Sequence, residues 1–312
     1  FAEVCNVLLL RTLPLLLPPN EASIMTRYAS ALSTTAAYAA GAAALSHPPP
    51  SSSPAATAAV RLFTLNKQST NNIHRSATSK VVHLIRHAEG THNLNESESK
   101  LPAHFDATLT QRGIEQCNVL AGRTHGLNVE AVLVSPMTRC LETARLSFPH
   151  LYEDEKEIGC EAAPTVVVPF VAHEEWRETV NFLCDSRRTK QLLQTDYSRV
   201  DFDAVTHDVD PLWERYESIF GCYKTHTSIR ESNDPKSLYE RAHAAWKVLL
   251  NRPERNLALV GHSAFFMHMF TPLYEELEGV VQYGDEGARE LMAGGDKFEN
   301  CEMRSVVVDV PI

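Results

Sequence analysis

Two arginines and two histidines in this chain stand directly after short apolar runs, where side chains that handle phosphate are most useful. V-V-H-L-I-R-H-A-E-G-T-H-N, from Val81 to Asn93, delivers Arg86 and His87. V-E-A-V-L-V, from Val129 to Val134, leads into S-P-M-T-R-C-L-E-T-A with Arg139, and L-A-L-V, from Leu257 to Val260, leads into Gly261, His262 and Ser263. An imidazole can attack phosphorus, and the planar fork of an arginine matches phosphate oxygens two at a time.

The elements that must position these groups follow from the pattern around them. Val81, Val82, Leu84 and Ile85 make a β-branched-rich stretch suited to a buried strand ending near Arg86. Ser135 is suited to cap a helix and Pro136 to open it, which puts Arg139 in its first turn; a helix is also expected over Ala264 to Phe270. A parallel sheet gathers the ends of its strands on one rim, and ligands of open α/β sheets bind beyond the carboxyl ends. Helix amino termini after these strands would add N–H donors for an anion. The implied pocket is one for a phosphoryl group.

Four motifs in this order resemble the histidine phosphatase superfamily of phosphoglycerate-mutase-like proteins. R-H-x-E-x-x-x-N (Arg86, His87, Glu89, Asn93) is similar to its signature. L-T-Q-R-G-I-E-Q (Leu109 to Gln116), S-P-M-T-R-C-L-E-T-A and V-G-H-S are similar to its helix start, second-arginine and second-histidine motifs. C-D-S-R-R (Cys184 to Arg188) and N-C-E-M-R-S-V-V-V-D (Asn300 to Asp309) resemble a plant and microbial mutase-like subgroup. Ala88 departs from the usual glycine, which bears on the local turn.

The resemblance implies a three-layer α/β/α fold with a mostly parallel central sheet and an inserted cap over about 170–234. It implies a metal-independent reaction through phosphohistidine on His87, with Arg86, Arg139 and His262 neutralising the phosphoryl oxygens. Phosphatase action on a small phosphorylated substrate is expected ahead of mutase action. No cofactor is implied, with 2,3-bisphosphoglycerate needed only by a mutase, and an inactive phospho-ligand-binding scaffold is the reading from another class. The leaving oxygen requires an acid. T-V-V-V-P (Thr165 to Pro169) reads as a strand, and the following H-E-E-W-R-E holds Glu174, Glu175 and Glu178. The spacing favours Glu178, with Glu175 as alternative; a solvated helix face is the bland reading of each. The resemblance assigns Asn93 to phosphate contact, and Glu89 is grouped with it in substrate binding; Glu89 could shape the turn after His87 and equally reads as an ordinary surface carboxylate. Arg187 and Arg188 could read an anionic substrate or be surface charge.

The remaining sequence sets bounds. The chain has 312 residues, 44% hydrophobic and 22% charged, with a net charge of −10, which disfavours nucleic acid as a partner. Seven scattered cysteines without C-x-x-C suggest reduced thiols and no zinc site. His83 and His87, four apart on a strand, stand about 13 Å apart and cannot share an ion. Residues 1–78 read as a disordered or targeting extension and 79–312 as the folded domain. Ala29 to Ala59 is rich in Ala, Ser, Thr and Pro; the segment after Met25, arginine-bearing and poor in acids, suits a plastid or mitochondrial transit peptide, with the cytoplasm as the alternative. Val7 to Leu17 is too short, and too broken by Arg11 and Pro14, to span a membrane. R-S-V-V-V-D-V, from Arg304 to Val310, is expected as an edge strand. Oligomeric state is left open.

Overall fold

A computed structural model describes residues 60–64, 79–95, 101–153, 167–269, 281–283 and 297–309. The expectations for Val7 to Leu17, Ala29 to Ala59 and the segment after Met25 lie outside the described residues. Strand β1 spans Val60–Thr64, β2 Lys80–Arg86, β3 Ala131–Val134, β4 Phe170–Ala172, β5 Val200–Asp201, β6 Asn256–Gly261, β7 Val281–Tyr283 and β8 Met303–Asp309. They form one sheet in the order β5-β4-β3-β6-β2-β8-β1-β7. β2, β6, β3, β4 and β5 are mutually parallel, whereas β8 runs antiparallel to both β2 and β1.

The strand pattern creates three layers because successive side chains leave opposite faces of a sheet. Val82, Leu84, Leu133, Leu257 and Leu259 enter one core, and Ile85, Val132, Val134, Ala258 and Val260 enter the other. The first core is closed by α6 (Pro235–Asn251), through Ala242, Ala245, Trp246 and Leu249, and by α7 (Ser263–Met269), through Phe265, Phe266 and Met269. The second is closed by α1 (Gln111–Thr124), α2 (Thr138–Ser147) and α4 (Lys190–Asp196), while α3 (Pro149–Tyr152) extends α2. α5 (Pro211–Phe220) packs Trp213 and Tyr216 against Val180 and Leu183 in a small separate cluster. Strands buried on both faces read as continuous apolar runs, as these do.

Several expected boundaries move. β1 lies within the first 78 residues, where V-R-L-F-T pairs with β8 and β7, so the sheet begins before residue 79. Because β1 covers it, β8 is an interior strand and not an edge. The strand expected at Thr165 to Pro169 is instead Phe170–Ala172; Thr165 and Val166 lie outside the described residues. Proline has no N–H for a ladder, and Pro169 only accepts, from Val132 N at 2.9 Å, so regular pairing starts after it. The segment taken as an insert at 170–234 supplies both β4 and β5. Among the described residues no helix is long and apolar enough to cross a membrane.

Candidate active site

β3, β6 and β2 are adjacent, and their registers align Val134 with Val260 and Arg86 with Gly261, so the three strands end on one rim. His87, Ser135 and His262 follow immediately, and Arg139 arrives on α2. A cavity of about 500 Å³ opens there, walled by Arg86, His87, His92, Arg139, Glu178 and Asp185, among others.

His87 is fixed through its backbone. Its N–H donates to Gly261 O at 2.9 Å, and its carbonyl accepts from Cys301 N and from Asn300 Nδ2, both at 3.2 Å. Nδ1 lies 2.8 Å from Ala88 O, so Nδ1 carries the proton and Nε2 keeps its lone pair. Burial, then Arg139, His92 and Arg86, hold the ring well below the ordinary histidine pKa. The ring is therefore neutral and nucleophilic at neutral pH. Ala88 donates its N–H to Thr143 Oγ1 at 2.9 Å and is not among the positive-φ residues, so alanine fits where glycine is usual.

Arg86 Nη1 donates to Phe298 O at 2.6 Å, and Arg139 Nη1 to Cys184 O at 2.7 Å. The Nε of each is buried without a partner, which leaves cationic donors for an anion to satisfy. Arg139 Nη2 donates to His262 Nδ1 at 3.3 Å, so His262 holds its proton on Nε2, 2.9 Å from Ser135 Oγ. Burial and then Arg139 keep His262 neutral as well. Its ring lies 5.2 Å from that of His87.

The carboxylates separate clearly. Glu178 lines the cavity, and its Oε1 accepts from Thr179 N at 2.9 Å and Phe265 N at 3.1 Å, leaving Oε2 for a proton. Burial, followed by the nearby Asp185, raises its pKa. Glu175 points to His173, Nδ1 to Oε2 3.5 Å; against the cost of burial, that histidine holds its pKa down. Geometry and charge both favour Glu178 as a proton donor.

Other expectations are corrected. Helix α2 starts at Thr138 with Met137 as cap, not at Pro136, because the Ser135 hydroxyl is taken by His262 and Asp106 Oδ1 accepts from Thr138 N at 2.9 Å. The amino termini of α2 and α7 thus meet the protein's own carboxylates, Asp106 and Glu178, rather than standing open to an anion. Arg187 is buried and spends its guanidinium on Glu174, 2.7 Å away, and on four backbone carbonyls. Arg188 pairs with Asp106 at 3.0 Å and Asp196 at 2.6 Å. Neither lines the described cavity, because each has stronger partners in its own neighbourhood. Glu89 shapes the turn: its Oε1 accepts from Thr110 Oγ1 at 2.8 Å, and its carbonyl abuts Gly113, where a Cβ would lie 2.3 Å away. Asn93 does line the cavity, held by Gly90 N at 3.0 Å.

Sequence reasoning missed His92, Asp185 and Asn300. His92 sits 5.4 Å from the His87 ring with Nδ1 buried and unpartnered, its pKa pushed by burial to about 2. The same T-H-N that carried Asn93 held it, and C-D-S-R-R held Asp185. Among the described residues no cluster of three or more His, Cys, Asp or Glu side chains is arranged for a metal ion. His83 instead bonds Ser305 Oγ at 2.7 Å and Asn256 Oδ1 at 3.1 Å.

The pattern described as "Histidine phosphatase superfamily (branch 1)" matches residues 82–155. An Arabidopsis thaliana phosphoglycerate mutase-like protein is 29% identical over 73% of this chain and 84% of its own length. A Schizosaccharomyces pombe protein described as a probable phosphatase is 25% identical over 59% of this chain and 74% of its own. The solved mycobacterial glucosyl-3-phosphoglycerate phosphatase covers 74% of this chain and 98% of its own at 13% identity, with a TM-score of 0.39, too distant to bear on substrate. The motif match begins at the strand that carries Arg86 and His87 and ends beyond the helix that carries Arg139, so this part of the chain is similar to the histidine phosphatase superfamily.

Proposed function

We propose that this chain hydrolyses phosphomonoesters of small molecules through a phosphohistidine on His87, without a metal ion. The observation that carries the reading is the neutral His87 ring, its Nδ1 bound to Ala88 O, standing in one cavity with two arginines whose Nε donors are unpartnered and a carboxyl group of raised pKa. In the first step Nε2 of His87 bonds to phosphorus as the ester P–O bond breaks, and Glu178 gives its proton to the leaving oxygen. In the second step water attacks phosphorus, Glu178 takes its proton, and the P–N bond breaks. Arg86 and Arg139 hold the equatorial oxygens, where positioning and charge supply most of the rate. His262 accepts from Arg139 Nη2 and so orients that guanidinium.

Phosphoglycerate-mutase-type transfer, with 2,3-bisphosphoglycerate as activator, is the second reading and draws support from the names of the plant relatives. The test is phosphate release from 4-nitrophenyl phosphate by the full chain with chelator present, against His87→Ala. The wild type is expected to release phosphate and the variant to lose on the order of 10⁴-fold. Equal release by both would remove His87 from the chemistry. Transfer between phosphoglycerates without net hydrolysis would favour the mutase.

A further inference from the structure

Asp185 walls the same cavity and takes no part in the two steps above. It closes a short 3-10 turn, Leu183–Asp185, and its Oδ2 is fixed by Asn181 N at 3.1 Å and Phe182 N at 2.9 Å. Its Oδ1 lies 3.6 Å from Arg139 Nη2. The protein has therefore placed a buried acid against one of the two arginines that a phosphoryl group needs.

Apart from Arg139, the arginines around it form their ion pairs with other acids. Arg177 is turned to Asp210 at 2.5 Å, Arg187 to Glu174, Arg188 to Asp106 and Asp196, and Arg241 to both oxygens of Glu231 at 2.8 and 3.0 Å. Among the described residues at the cavity wall the permanent cations are Arg86 and Arg139, matched by the acids Glu178 and Asp185. The rest of that wall includes Asn93, Thr179 and Asn300, neutral groups suited to hydroxyls. A phosphoryl dianion occupies both arginines. A carboxylate on the same substrate would find no cation left on the described wall and would face Asp185. It must then either stand beside an ionised acid or force a proton onto it, and both weaken binding.

Resting on the hydrolase reading, we propose that the site selects phosphomonoesters whose organic part bears hydroxyl groups and no carboxylate, and that Asp185 enforces the choice. Asp185 is in this sense a specificity-determining residue for the proposed reaction. Burial lifts its own pKa while Arg139 and the two amides oppose the lift, so discrimination is expected to narrow as pH falls and the group takes a proton.

Glycerol 3-phosphate and 3-phosphoglycerate differ only in a hydroxymethyl group against a carboxylate, and serve as the probes. Calorimetric binding to the full chain carrying His87→Ala reads selection whether or not either ester is turned over. The glycerol ester is expected to bind at least about tenfold tighter. Adding Asp185→Asn, or in its place Asp185→Ser, should shrink that ratio at least about threefold. A ratio at or below one, or a ratio unmoved in both variants, would overturn the proposal. Absence of phosphate release by the wild type counts against the hydrolase reading alone, because the binding ratio is measured apart from it.

Discussion

Arginine serves opposite purposes on the two sides of this cavity. On the strand rim, buried Arg139 and half-buried Arg86 each keep an unpartnered Nε, and no carboxylate pairs with Arg86 among the described residues. In the segment beyond β4, Arg177, Arg187 and Arg241 are buried and each is paired with a carboxylate and with backbone carbonyls, although Arg177 too keeps an unpartnered Nε. The rim stores unsatisfied charge that a phosphoryl group can claim, whereas the other side uses charge to hold irregular backbone in place. The short 3-10 turns and loops from 174 to 189 have few ladder hydrogen bonds of their own, and arginine donors supply what regular structure would.

Substitutions on the two sides should separate along this line. Beyond the loss at His87, the largest effect is expected at Glu178→Gln, a fall in kcat of about 10²–10⁴-fold on alkyl phosphates and much less on 4-nitrophenyl phosphate, whose leaving group needs little help from an acid. Wild-type turnover should decline as pH rises through the raised Glu178 pKa, and that limb should vanish in the variant; an unchanged pH profile would exclude Glu178 as the acid. On the acid side, the depressed pKa of His87 keeps the nucleophile available well below pH 6.5.

Arg187→Met should act oppositely, by removing the donors that hold four backbone carbonyls and the nearer ion-pair partner of half-buried Glu174, which keeps only Arg177 at 3.5 Å. A loss of about 3–5 kcal/mol in unfolding free energy is expected, with kcat/KM below the melting range held within about threefold. Urea titration and steady-state kinetics on one preparation would show this, and a collapse of activity at full stability would return Arg187 to the site. The smallest effect concerns His83, whose pKa burial holds down to about 4. A folded-state value below the ordinary 6.5 means that this contribution to stability is complete above pH 6.5 and is lost as pH falls toward 4. His83→Gln is expected to flatten that acid decline by up to about 3 kcal/mol. Parallel stability curves for variant and wild type between pH 7 and 4 would assign the decline elsewhere.

Much of the site was legible because its residues sit at fixed offsets from strands. Val81 to Ile85 announces a buried strand, and nothing between Ile85 and His87 can redirect the chain, so position and chemistry coincide. Glu178 was legible less directly, by its spacing from C-D, and its assignment over Glu175 needed the amides of Thr179 and Phe265. Ser135 misled for a physical reason: serine before proline suits a helix cap, but a hydroxyl within 2.9 Å of His262 has a better use. β1 was overlooked because five residues within a low-complexity extension form a strand only when β8 offers its edge.

By itself, the sequence determined the apolar alternation that builds a parallel sheet, the three strand ends that carry Arg86 with His87, Arg139 and His262, and the chemistry those residue types permit. These are local properties, set by residue type and short spacing. Which carboxylates protonate, which arginines stay free, and that Asp185 and His92 join the wall were decided only in three dimensions. Burial and charge pairing depend on neighbours far apart in the chain, such as Arg139 with His262 and Arg188 with Asp106, and no short window of sequence contains both partners.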